Sequence, residues 1–167
     1  FEFMWSQLSK ARQPDSEPGK NWITWPEWAW WSTGYLIFIW ASLGLIEIWA
    51  VTPDMLMAAL LFVAAGLVVR IRAGHDGWQT FALLGFILGL GYLSKSIMFP
   101  VALLLLAASF AAVTGIRRAV LRSTVALVVF LLVAGPFVLL MSAAKGQFTY
   151  GEAGKLTYVR HVNGVAY

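Results

Sequence analysis

Two residues stand out for their chemistry. Asp54 follows Pro53 at the head of an apolar run, in VTPDMLMAALLFVAAGLVVRIR, and Lys95 closes a second run, in FALLGFILGLGYLSKSIMFP. A carboxylate at the lip of a cavity can serve as a general base or a metal ligand. An ammonium at a membrane surface suits a lipid-linked phosphate. Each residue also has a structural explanation. Proline fits the first turn of a helix and an Asp there is favoured by the helix dipole. A lysine beside an apolar helix can extend its amine to the interface. Glu47 lies seven residues before Asp54, near the same end. An ionisable group inside a span marks a functional candidate by default, although here reaching the interface explains it as well.

The elements that must position these groups are apolar. The 167 residues are 60% hydrophobic and 12% charged, about half the charged share of a globular domain. Such a composition calls for lipid as solvent. There is no Cys, so disulfides and thiolate metal sites are excluded. Two His, at 75 and 161, are too few for a His-rich metal cluster. The net charge of +4 is modest, and nucleic acid is not an expected partner.

Five apolar segments predict an all-α, polytopic bundle with spans over 33–51, 53–72, 78–93, 97–116 and 124–142. A span needs about 20 residues, so the shorter runs depend on their flanks. Residues 1–32 read as a loop and a Trp-rich interfacial segment, with Trp at 22, 25, 28, 30 and 31. FEFMWSQLSKARQ is no signal peptide, because its charges follow the apolar residues; it reads as the tail of an earlier helix, and the chain as an internal piece of a longer membrane protein. Residues 143–167 read as an extracytoplasmic segment containing Glu152, Lys155, Arg160 and His161.

Lys and Arg predict the orientation. One set of loops carries Lys10, Arg12, Lys20, Arg70, Arg72, Arg117, Arg118 and Arg122; the other carries Lys95, Lys145, Lys155 and Arg160. Eight against four puts the first set in the cytoplasm. Asp54, Ser94, Lys95 and the tail then share the outer face. Gly85 and Gly89 have GxxxG spacing, a packing feature expected to help the helix ending near 93 approach the one starting near 54. GxxxxGK[ST], HExxH and GxSxG are absent, so nucleotide-binding and protease readings have no support.

The TPD at the start of one helix and the YLSK closing a Gly-rich helix, taken in order, resemble bacterial polytopic glycosyltransferases of the GT-C type. The similarity is greatest to the protein O-mannosyltransferase-like and aminoarabinose-transferase-like group, and it covers roughly 35 to 163. The resemblance implies sugar transfer from a polyisoprenyl-phosphate donor at the outer face of the bacterial inner membrane. It implies Asp54 as catalytic acid-motif residue and as a ligand of a divalent metal ion, with Lys95 and Ser94 contacting the donor. The first acidic motif of that family has no counterpart here, so the chain alone is expected to be inactive. A fragment of a transporter or flippase, or a non-catalytic membrane scaffold, remains open; neither needs Asp54 or Lys95.

Overall fold

A computed structural model describes residues 1–11, 25–45, 54–149 and 151. Six helices and no strand occur among them: α1 Glu2–Ala11, α2 Glu27–Leu45, α3 Asp54–Arg72, α4 Trp78–Ser94, α5 Met98–Ala111 and α6 Ile116–Lys145. The all-helical bundle expected from composition is therefore present.

α3 has an acid in its first turn and Arg70 and Arg72 in its last, matching both ends of the helix dipole. Gly74 stops it. With φ at +90°, its N–H donates to Ile71 O, while the His75 N–H donates to Arg70 O. That pair of bonds closes the last turn as glycine-ended helices commonly do. α4 turns Phe81, Leu84, Leu88 and Tyr92 inward. Their spacing of three and four residues makes a single helical stripe. They meet Ala64, Leu67 and Ile71 of α3, Met98, Ala102 and Leu106 of α5, and Ala126, Phe130 and Ala134 of α6 in one core.

The closest approach in the bundle joins α4 and α6. A Cβ at Gly85 would overlap the Ala126 carbonyl, and one at Gly89 would lie 2.6 Å from Val133 Cβ. The two helices run in the same direction: Gly85 faces Ala126, Gly89 faces Val133, and Tyr92 meets Phe137. The GxxxG glycines thus serve α6, and the expectation that they seat α3 is corrected. α3 still neighbours α4, through the larger side chains of the core.

α1 and α2 are held differently. Phe3 fills the space over Gly66 of α3, and the Trp5 ring covers Gly34 of α2. Trp5 stacks on Trp30 at 4.6 Å and Phe1 on Phe38 at 4.8 Å. Phe1 also meets Phe62 edge-on. Aromatic rings join α1 to α2, while α1 also lies close against α3, where a Cβ at Gly66 would stand 3.0 Å from Met4 Cα.

Several boundaries differ from expectation. Residues 1–32 contain α1 and the start of α2, and residues 12–24, with Trp22, lie outside the described residues. The expected span 33–51 is helical to Leu45; its remainder, with Glu47, lies outside the described residues, as does Pro53 at the head of the expected span 53–72. α5 stops at Ala111, short of residue 116, because the chain turns through Gly115 at φ +94°. Its 14 residues reach about 21 Å against a hydrocarbon core of about 30 Å. α6 begins at Ile116 and absorbs Arg117, Arg118 and Arg122, which the sequence placed in a loop. It continues through Pro136, whose missing N–H leaves a carbonyl one turn back without its helical donor.

Two helices, α3 and α6, are long and apolar enough to cross a membrane; α4 and α5 are shorter apolar helices. In the most apolar windows of α3 and α6 only 22% and 17% of residues are buried within the bundle. Leu56 of α3 and Leu132, Leu139 and Leu140 of α6 instead point outward.

Candidate functional site

The antiparallel course of α3 and α4 returns the chain to the head of α3 when α4 ends. α4 closes at Ser94, and Lys95 leaves it in an extended conformation, its N–H still bonded to Gly91 O. A tight turn follows, in which Met98 N–H donates to Lys95 O and Phe99 N–H to Ser96 O. This geometry carries the Lys95 side chain across to α3, where its Nζ forms an ion pair with Asp54 Oδ1. The residues are 41 positions apart. Both side chains remain partly open, at 39% for Lys95 and 27% for Asp54.

The pair joins the positive N-terminal end of α3 to the negative C-terminal end of α4. Carboxylate and ammonium are each at the helix end whose dipole favours them. Each also partly neutralises the other, so any use of Lys95 by an outside anion starts from an ammonium already engaged.

Ser94 does not join the pair as a donor. Its hydroxyl donates to Gly91 O, within its own helix, at 2.8 Å. Ser96, which sequence reasoning passed over, lies against the start of the tail. Gly146 ends α6 in the left-handed region. The chain then folds back, so that Thr149 N–H donates to Ser142 Oγ at 3.1 Å and the Thr149 carbonyl accepts from the same hydroxyl. Gly151 lies so close to Ser96 that a Cβ would stand 2.9 Å from its Oγ. Asp54, Lys95 and the first residues after α6 therefore gather at one end. Glu152, Lys155, Arg160 and His161 lie outside the described residues.

A second ion pair occupies the opposite end and was not anticipated. Asp76, in the turn between α3 and α4, binds Arg122 of α6 through Nη1. The side chains are 26% and 17% exposed. The available signal was an acid in RAGHDGW, flanked by the Arg-rich segments that the sequence assigns to one face.

A divalent metal at Asp54 would need several further oxygen ligands. Among the described residues no three His, Cys, Asp or Glu groups come together, and the carboxylate already faces an ammonium. What the arrangement can do is narrower: accept a proton on a carboxylate and hold an anion on an adjacent amine. No family model, curated protein or solved structure matches the chain, so the reading of this end rests on its own geometry.

Proposed function

We propose that the chain is part of a membrane glycosyltransferase of the GT-C type. It would move a sugar from a polyisoprenyl-phosphate donor to an acceptor at the outer face of a bacterial inner membrane. The single observation that carries this reading is the meeting of Asp54 and Lys95. The outward-facing apolar surface of α3 and α6 supports the membrane setting, since the core helix of a soluble protein is mostly buried.

The chemistry uses the pair as an exchange. Donor phosphate takes the Lys95 ammonium, and Asp54 is released to receive the acceptor's hydroxyl proton. The acceptor oxygen bonds to the anomeric carbon, the bond from that carbon to the phosphate oxygen breaks, and the electron pair leaves on phosphate. Lys95 then faces the negative charge that develops there. No metal is required for this balance of atoms and charge.

A photoreactive polyprenyl phosphate tests the proposal in membranes carrying the protein from its complete reading frame. Labelling should map to peptides containing 54–57 or 94–97 and should fall in Lys95→Ala. Labelling spread along the outward face of α2, unaffected by that substitution, would overturn it.

The dipole arrangement favours a second reading, in which the pair is only a clasp between two helix ends. Exchanging the charges, with Asp54→Lys and Lys95→Asp together, separates the two. A clasp survives the exchange in part; transfer does not.

A further inference from the structure

Five cations converge on the end of the bundle opposite Asp54 and Lys95. α1 runs alongside α3 in the same direction, with Phe1 at Phe62 and Phe3 at Gly66. Lys10 is thereby carried toward Arg70 and Arg72. α6 runs with α4, and the Asp76–Arg122 pair fixes its first turns at the α3–α4 turn. Arg117 and Arg118 therefore emerge at the same end. Lys10, Arg70, Arg72, Arg117 and Arg118 are all exposed.

Little at this end offsets them. Asp76 is taken by Arg122, and the other described acid here is Glu27, at the start of α2. His75 adds an exposed imidazole beside Asp76.

Exposed indoles gather at the same level. α2 runs against α1, with Phe38 at Phe1 and Trp30 at Trp5. Trp25 and Trp28 consequently lie beyond Trp30, toward the cations, and they are 51% and 73% exposed. Trp78, at 53%, opens α4 at the same end of the bundle. Indoles favour the zone between headgroups and hydrocarbon. Arginine forks match phosphate oxygens in pairs.

We propose that this end is a docking surface for the headgroups of anionic phospholipids. The charge complements the headgroup phosphate, and the indoles set the depth at which headgroups meet the arginines. The proposal rests on the membrane placement of the bundle and is independent of transfer chemistry at Asp54.

The test uses the protein from its complete reading frame in phosphatidylcholine vesicles, with spin-labelled phosphatidylglycerol or phosphatidylcholine as probe. Phosphatidylglycerol should associate about threefold or more in preference, given the effect of one basic residue near a lipid surface. The preference should fade toward 1 M salt, where the screening length is about 3 Å. Changing Arg70, Arg72, Arg117 and Arg118 to Gln should abolish it, whereas changing the same four to Lys should keep most of it. Lys145→Gln, at the other end, should leave it intact. Far-UV helicity reports whether the fourfold variant folds; if it does not, the two paired variants, 70 with 72 and 117 with 118, should each reduce the preference. Equal association of both lipids with the unchanged protein overturns the proposal, as does a preference that survives the loss of all four arginines. Failure to enter any vesicle would remove the membrane placement itself, and this proposal with it.

Discussion

The two ends of the bundle each carry one ion pair, built to different plans. Asp54–Lys95 ties together two helices adjacent in sequence and remains partly open to solvent. Asp76–Arg122 ties the α3–α4 turn to α6, the third helix after it, and its cation is better covered. Lysine is a compact, mobile charge that can change partners; arginine is a planar fork that holds one geometry. The first pair is thus suited to exchange and the second to fixing α6 against the α3–α4 turn. A carboxylate–cation contact is therefore not by itself a site: under the proposed function the same contact would serve two purposes in one small bundle.

Breaking the first pair should have the largest effect. Asp54→Asn preserves shape and removes the charge, so transfer from a polyprenyl-phosphate donor should fall about 100-fold or more, the scale of a lost general base. Asp76→Asn in the same assay should keep transfer within about twofold at equal protein level, because a structural pair contributes through folding alone. Equal losses in both would erase the distinction between the ends.

The second pair should dominate stability. Arg122→Ala leaves a half-buried carboxylate at a turn, and unfolding in detergent should become easier by about 1–3 kcal/mol, between the values for exposed and buried pairs. Lys95→Ala should cost less than about 1 kcal/mol on the same measure. Its effect belongs in the apparent KM for donor, expected to rise about tenfold with the loss of one charge-assisted contact. A reversed order of stability would show that the open pair is the structural one.

The smallest effect should come from Ser94→Ala. Its hydroxyl donates to Gly91 O, a bond with a net value of about 1 kcal/mol. Transfer should change by less than about threefold; a larger kinetic loss would return Ser94 to the substrate.

The sequence reveals some of these features and hides others for physical reasons. Alternating apolar runs put Asp54 and Lys95 at one end, because a helix of 19 residues followed by one of 17 brings the chain back to its starting level. That they touch depends on the extended backbone of Lys95, a local conformation without a residue signature. Asp76–Arg122 depends on which helix lies beside α4, and the GxxxG spacing names a close approach without naming the partner. Hydropathy joined 97–116 into one run because Ala112 and Val113 are apolar, although the backbone turns there, at Gly115. α1 was legible only as the tail of a helix, since its docking works through Phe1, Phe3 and Trp5 rather than through a long apolar stripe.

The register of α4 against α6 has a consequence for depth. Tyr92 meets Phe137, so Lys95, three residues farther, lies near the level of Leu140. α6 continues to Lys145, about 7 Å higher at the usual rise per residue, and Leu139 and Leu140, at the level of the pair, are 71% and 73% exposed. If Lys145 marks the waterline, the Asp54–Lys95 pair is submerged by more than one helical turn. A phosphate at the head of a lipid reaches that level by sinking slightly, with its tail already in hydrocarbon. A water-borne acceptor must come down past the rim, leaving much of its hydration behind. The overhang of a single helix would thus make the two substrates arrive from different media, and would favour acceptors that present their hydroxyl on a slender or flexible segment.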